Sequence, residues 1–184
     1  MVLVGDVQEQ INYLEMVATM SAVLSPCGMY RYRLDRQLTM GDGPVYAFFG
    51  INPSTADASL DDATVRKWTG FCKRWGASRY IVGNVFPYRA TDVKELGRCE
   101  QPIGDFATYA KHMKQITVEA DILVPCWGNT NKVPPALRSR FASLLRALPG
   151  TGKPIKVFGL TKSGDPMHPL MLGYDTILQD WTTP

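Results

Sequence analysis

The sequence is short of the residues that most often announce a function. It holds two histidines and four cysteines in 184 residues. His112 and His168 are too few for a His-rich metal site, so no metal is expected. Cys27, Cys72, Cys99 and Cys126 form no C-x-x-C pair, which argues against a zinc ribbon or an iron–sulfur cluster. At this chain length they also argue against a disulfide framework. Four reduced thiols, mostly buried, are expected. No run approaches the roughly 18 apolar residues of a membrane span. The first residues carry no basic stretch ahead of an apolar core. A soluble, cytoplasmic protein with no membrane partner is therefore expected. Neither a G-x-x-x-x-G-K-[ST] loop nor a G-x-G-x-x-G loop is present, so nucleoside triphosphates and dinucleotides are poor ligands to expect. There is no G-x-S-x-G elbow either. No cofactor is expected.

What remains is ordinary globular composition: 45% hydrophobic, 20% charged and 10% aromatic. With no internal repeat, low-complexity tract or linker, one domain over residues 1–184 is expected. The net charge of +3 decides little, but its distribution is uneven. Between Ile122 and Gly164 lie seven basic residues and no acidic one. Such a run supplies either one positive face for a polyanion or a solvated helix and loop.

Apolar strand-like runs alternate with amphipathic helices. Gln8–Val23 reads as a helix, with Ile11, Leu14, Val17 and Met20 at near-helical spacing. Tyr30–Leu38 reads as an edge strand or hairpin arm, and Gly41–Pro44 as a turn. Four strands follow, at Val45–Ile51, Tyr80–Val85, Ile122–Trp127 and Lys156–Leu160, although Pro125 disturbs the third near its end. Between them the pattern predicts a helix capped by Asp61 or Asp62 and running to about Trp75, a second over Ile103–Ala120, and a third from Pro134-Pro135 to Leu148. A last short helix is expected over Tyr174–Trp181. Near-continuous apolar strands separated by helices predict an α/β fold: a three-layer sandwich with a central, mainly parallel four-stranded sheet flanked by helices. Ligands of such sheets bind at the carboxyl ends of the strands. There the sequence places Gly50-Ile51-Asn52-Pro53-Ser54, then Asn84-Val85-Phe86, then Trp127-Gly128-Asn129, then Met167-His168-Pro169.

These strand ends resemble the uracil-DNA glycosylase superfamily. Gly50-Ile51-Asn52-Pro53 is similar to the first motif of its mismatch-specific branch. Asn84 stands where the superfamily places an Asn after the second strand. Trp127-Gly128 is similar to the pair that ends its third strand, and His168-Pro169 to its second motif, with Leu170 in place of Ser. A closer resemblance is to an uncharacterised bacterial and phage family known only as a domain of unknown function. It is carried by Cys27-Gly28-Met29-Tyr30-Arg31-Tyr32, Asn52–Asp57, Asp61–Arg66, Asn84-Val85-Phe86, Arg89–Asp92 and His168-Pro169-Leu170. The resemblance implies a single glycosylase-like domain, with residues 1–44 as N-terminal helix and edge segment and 45–172 as core.

It also implies N-glycosidic bond hydrolysis on DNA, single-stranded or modified forms included, or on a nucleotide, with the base flipped into a pocket. The transition state puts negative charge on the leaving base. It calls for a placed water, donors for the base anion and a pocket outside the stack. Asn52 would orient the water, Asp57 is the candidate base, and His168 would donate to a base oxygen. Gly50, Ile51, Pro53, Ser54, Asn84, Phe86, Trp127 and Pro169 would bind the base, and Arg66 and Arg89 a phosphate or modified group, with Arg31 beside them. Structural readings stand next to these: Asp57 as a turn cap, Asn84 as a strand-end residue, His168 as a satisfied loop histidine, Phe86 as core. Asp61-Asp62 reads as a helix cap rather than a metal pair. Efficient uracil removers carry Asp at the place of Asn52, and this departure keeps open a reader that binds a base or nucleic acid without cutting.

Overall fold

The computed structural model describes residues 20–54, 56, 57 and 60–181. Its main sheet has five strands in the order β1-β2-β4-β3-β5: β1 Ser21–Leu24, β2 Arg31–Gln37, β3 Val45–Gly50, β4 Arg79–Asn84 and β5 Ile122–Pro125. β3 pairs parallel with β4 and with β5. β2 pairs antiparallel with β4, and β1 with β2. The sheet is therefore mixed and five-stranded, not a mainly parallel sheet of four.

The expected helix over Gln8–Val23 lies outside the described residues except for its end, and that end is strand β1. Of the two readings of Tyr30–Leu38, the hairpin arm holds: it becomes β2, an interior strand rather than an edge. The short loop between Leu24 and Arg31 closes a hairpin, with Ser25 N donating to Tyr30 O at 2.9 Å. Pairing on both sides, plus burial of Arg31 to Arg36, makes β2 part of the core.

The helices are α1 Ala63–Arg74, α2 Phe106–Glu119 and α3 Ser139–Ala147. Alternation along β3 and β4 decides what they cover. Tyr46, Phe48, Tyr80 and Val82 face α1, which buries Val65, Trp68 and Phe71 at one-turn spacing. Ala47, Phe49 and Ile81 face the opposite way, onto Tyr109, Met113 and Ile116 of α2 and Phe141 of α3. Helices thus cover both faces, as expected. Asp62 caps α1, accepting from the Thr64 and Val65 amides at 2.9 Å each. α2 starts later than expected because Asp105 is its cap. The third expected helix divides into a 3-10 turn at Pro135–Leu137, α3, and a second 3-10 turn at Leu148–Thr151.

The expected fourth strand does not join the main sheet as a full strand. Only Ile155 bridges to Leu123 of β5. β6 (Lys156–Val157) pairs instead with β7 (Gln179–Asp180) in a separate two-stranded sheet. The C-terminal segment folds back along β6, Trp181 N donating to Ile155 O at 2.8 Å, while Leu123 N of β5 donates to Pro154 O at 2.9 Å. That return also replaces the short helix expected over Tyr174–Trp181. All four cysteines are free: Cys72 and Cys126 are buried, Cys99 is half-buried and Cys27 is exposed. No helix among the described residues is long and apolar enough to cross a membrane.

Candidate functional site

The parallel strands release three loops on one side of the sheet. The ladder between the first two continues past the strand ends. Val85 N donates to Gly50 O at 3.0 Å, Phe86 N to Ile51 O at 2.9 Å and Ala90 N to Pro53 O at 2.9 Å. Asn52 adds a side-chain clamp, its Nδ2 donating to Ala90 O at 2.8 Å, Pro53 O at 3.1 Å and Tyr88 O at 3.4 Å. Three carbonyl acceptors settle which amide atom is nitrogen. Oδ1 is then the atom Asn52 has left to offer a ligand.

Beside these loops lies a cavity of about 170 Å³. Gly50, Ile51, Asn52 and Ser54 line it from the β3 exit, Asn84 from β4, and Trp127 from the chain after β5. His168 lines it from the loop before a 3-10 turn at Pro169–Met171. The strand-end rule thus gathers seven of the expected site residues on one wall.

Asn84 is 4% exposed, and its Nδ2 has no hydrogen-bond partner. Gly50 makes room for it: a Cβ at Gly50 would sit 2.9 Å from Asn84 Oδ1. Beneath it, the Tyr109 hydroxyl donates to Asn84 O at 3.0 Å and Val85 O at 3.1 Å, and burial pushes the Tyr109 pKa up to about 12. His168 Nδ1 accepts from Leu170 N at 3.2 Å. That bond puts the proton of the neutral ring on Nε2 and makes Nε2 a donor. Burial lowers the His168 pKa, Lys132 lowers it further and Asp62 opposes both, so the ring is neutral near pH 7. Trp127 packs its ring on Phe141 with centroids 5.2 Å apart and leaves Nε1 without a partner.

A family model described as "Protein of unknown function (DUF1643)" matches residues 31–170. The chain belongs to the DUF1643 family. The match begins at Arg31 and includes His168, so it spans the whole cavity wall of this DUF1643 protein. No curated protein and no solved structure matches the chain.

Six expected residues stand off the cavity wall. Phe86 is fully buried in the core, edge-on to Phe141 at 5.8 Å, and cannot act as a stacking platform. Asp57 serves a turn: its Oδ1 accepts from Leu60 N at 3.0 Å, and its backbone oxygen accepts from Arg36. Arg66 is exposed and turns back to Asp61 O at 2.6 Å. Arg89 donates to Gly28 O at 3.3 Å. Pro53 and Pro169 are buried and shape the loops.

The sequence reading missed as wall residues Asp62, Thr64, Trp68, Ala90, Thr91 and Val93; of the three arginines it named for a phosphate or modified group, Arg31 lines the cavity. Asp62 was legible as a helix cap; what hid its second position was that α1 begins against the cavity. Arg31 is 3% exposed, with Nη1 donating to Ala56 O at 2.6 Å and Nε unpartnered. Burial lowers its pKa to about 10, so it keeps its charge at neutral pH. Among the described residues no cluster of three or more His, Cys, Asp or Glu side chains could hold a metal. The wall mixes donors (Arg31, the Trp68 and Trp127 indoles, the Asn84 amide) with acceptors (Asn52 Oδ1, Asn84 Oδ1 and the Asp62 carboxylate), and the Ser54, Thr64 and Thr91 hydroxyls can do either. Such a wall suits a planar polar ligand.

Proposed function

We propose that the cavity takes a nucleobase and that the protein is an N-glycosidase acting on a non-standard or modified base, in DNA or in a nucleotide. The observation that carries this reading is the meeting of Asn84 and Trp127, each with a buried nitrogen that lacks a partner, with Asn52 and a neutral His168 around one cavity. The resemblance of the strand-end strings to uracil-DNA glycosylases supports it.

In this reading Asn84 holds the base edge. His168 Nε2–H donates to a base oxygen, where negative charge grows as the bond to the sugar breaks. Asn52 Oδ1 accepts a hydrogen bond from the attacking water. A neutral amide orients the water without taking its proton; as water adds to the sugar carbon that proton is lost to solvent, and the departing base anion is protonated in turn, which suits a bond that is already weak or a slow enzyme.

A second reading, a reader that binds a base without cutting, is favoured by one observation. The Asn52 amide nitrogen is committed to three carbonyls, which is what a loop clamp alone would require.

Base release followed by mass spectrometry separates the two. Single- and double-stranded oligonucleotides carrying uracil, mismatched thymine, hypoxanthine or 5-hydroxymethyluracil would be tested beside the matching nucleotides. Release that disappears in Asn52→Ala and in His168→Ala, both still folded, is the expected result. Binding without release from any substrate would establish the reader instead.

A further inference from the structure

Among the described residues, seven buried side-chain nitrogens have no hydrogen-bond partner, and four of them sit on residues that line this one cavity: Arg31 Nε, Trp68 Nε1, Asn84 Nδ2 and Trp127 Nε1. All four are donors. A buried donor left unpaired costs free energy that the empty protein does not recover. A guanidinium is the costliest of them, because it also carries charge out of water.

Arg31 meets no carboxylate within ion-pair distance among the described residues, whereas on the same strand Arg33 has two and Arg36 has one. Asp62 shares the cavity wall, but its Oδ1 is held by the Thr64 and Val65 amides of the helix start. Arg36 and Arg89 add to the positive potential at Arg31, while Asp62 and Asp57 offset part of it.

We infer that the cavity is built for an oxyanion: its ligand presents a carboxylate or phosphate group to Arg31, with Asn84 and Trp127 as the accompanying donors. This deepens the base-binding reading and rests on it for the nature of the ring. The volume restricts where the charge sits. About 170 Å³ is below the roughly 300 Å³ at which pockets begin to hold drug-sized ligands. A single ring or one anionic group fills it. The negative charge is then that of the group seated against Arg31, a carboxylate on the ring or a phosphate beside it.

The test is binding without turnover, by calorimetric titration of the full chain with three probes: orotate, inorganic phosphate and uracil. Orotate is a pyrimidine with a carboxylate, and uracil is the same ring without it. One of the two anions is expected to bind at least ten-fold tighter than uracil, and whichever binds identifies the group. Arg31→Met is expected to weaken that anion by about 30-fold or more, and Trp127→Phe, which keeps the ring and removes the donor, by a few-fold. If Arg31→Met does not fold, Arg31→Lys and Trp127→Phe carry the test, since each keeps the site filled and weakens the anion. Uracil binding as tightly as orotate, an anion bound equally by every variant, or no binding of either anion overturns the inference. Arg31-dependent anion binding with no base release from any substrate would leave this inference standing and overturn the glycosidase. Release of a neutral base with no preference for anions would do the reverse.

Discussion

Strand β2 buries Arg31, Arg33 and Arg36, and the two ends of the sheet treat them differently. From the middle of β2, Arg33 reaches toward the start of β4 and forks onto Asp35 at 2.6 and 2.7 Å and onto Glu119 at 2.6 and 2.7 Å. Arg79 closes that network by reaching Glu119 at 3.1 Å. Arg36 is held by Asp61 and by the Asp35 and Asp57 carbonyls. Toward the end of β4, Arg31 has one carbonyl and a cavity. The closed network fixes β2, β4 and the end of α2 relative to one another. The open end leaves donors unpaired where strand-end ligands bind, the pattern expected of a site that gives up stability for binding.

The largest effect that could break this comparison is on stability. Arg33→Met leaves Asp35, 6% exposed, buried with only the Arg79 guanidinium 3.7 Å away. A loss of about 3 kcal/mol in urea denaturation is expected, since removing one partner strands the other charge. Arg31→Met, in the absence of ligand, is expected to leave the denaturation midpoint unchanged or raised, because no charge is stranded. If the two variants lose stability equally, Arg31 is a structural residue and the contrast between the ends fails.

An intermediate effect isolates the cavity from the fold. Gly50→Ala puts a methyl group 2.9 Å from Asn84 Oδ1, and the Asn84 side chain must turn away. Ligand binding or base release is expected to fall by about ten-fold, because one of the wall's donors loses its aim. The cost to stability should stay near that of a modest overpacking, about 1–2 kcal/mol. Equal function in Gly50→Ala would show that Asn84 does not touch the ligand.

The closed end was partly legible in the sequence and the open end less so, for physical reasons. β3, β4 and β5 are continuous apolar runs, and α1 carries its own cap and apolar spacing, so local pattern sufficed for them. The antiparallel partnership of β2 rests on pairing with β1, whose residues Ser21–Leu24 continue a helix-like periodicity. Only the non-local contact decides between the two. The diversion of β6 likewise depends on the distant Gln179–Asp180. At the site, Asn52, Asn84, Trp127 and His168 sit directly after strands or in a strand-end loop, where the α/β rule points. Arg31 comes from the beginning of an antiparallel strand, and it reaches the same cavity because β2 runs opposite to β4. Asp57 and Phe86 show the converse: closeness in sequence to Asn52 and Asn84 did not bring them to the wall.

The smallest expected effect is in pH dependence, and it separates the two ends again. Both histidines have lowered pKa values. For His168 the main cause is burial, with Lys132 adding to it; for His112 it is burial, then Lys111 and Arg33. A lowered folded pKa means that the unfolded chain takes up the proton first as pH falls. The stability these groups contribute is complete above about pH 6.5 and declines as pH drops through 6.5 toward the folded values. His168→Gln and His112→Gln should each flatten part of that decline in denaturation midpoints taken between pH 7.5 and 5.5. The two parts should respond differently to a ligand. An anion in the cavity gives a protonated His168 a partner and raises its pKa, so the His168 share of the decline should shrink when orotate or phosphate is bound. His112 stacks on Tyr32 at 5.4 Å beside the closed network, away from the cavity wall, and its share should not move. A ligand that changes both shares alike would mean that the two ends of the sheet are coupled rather than separate.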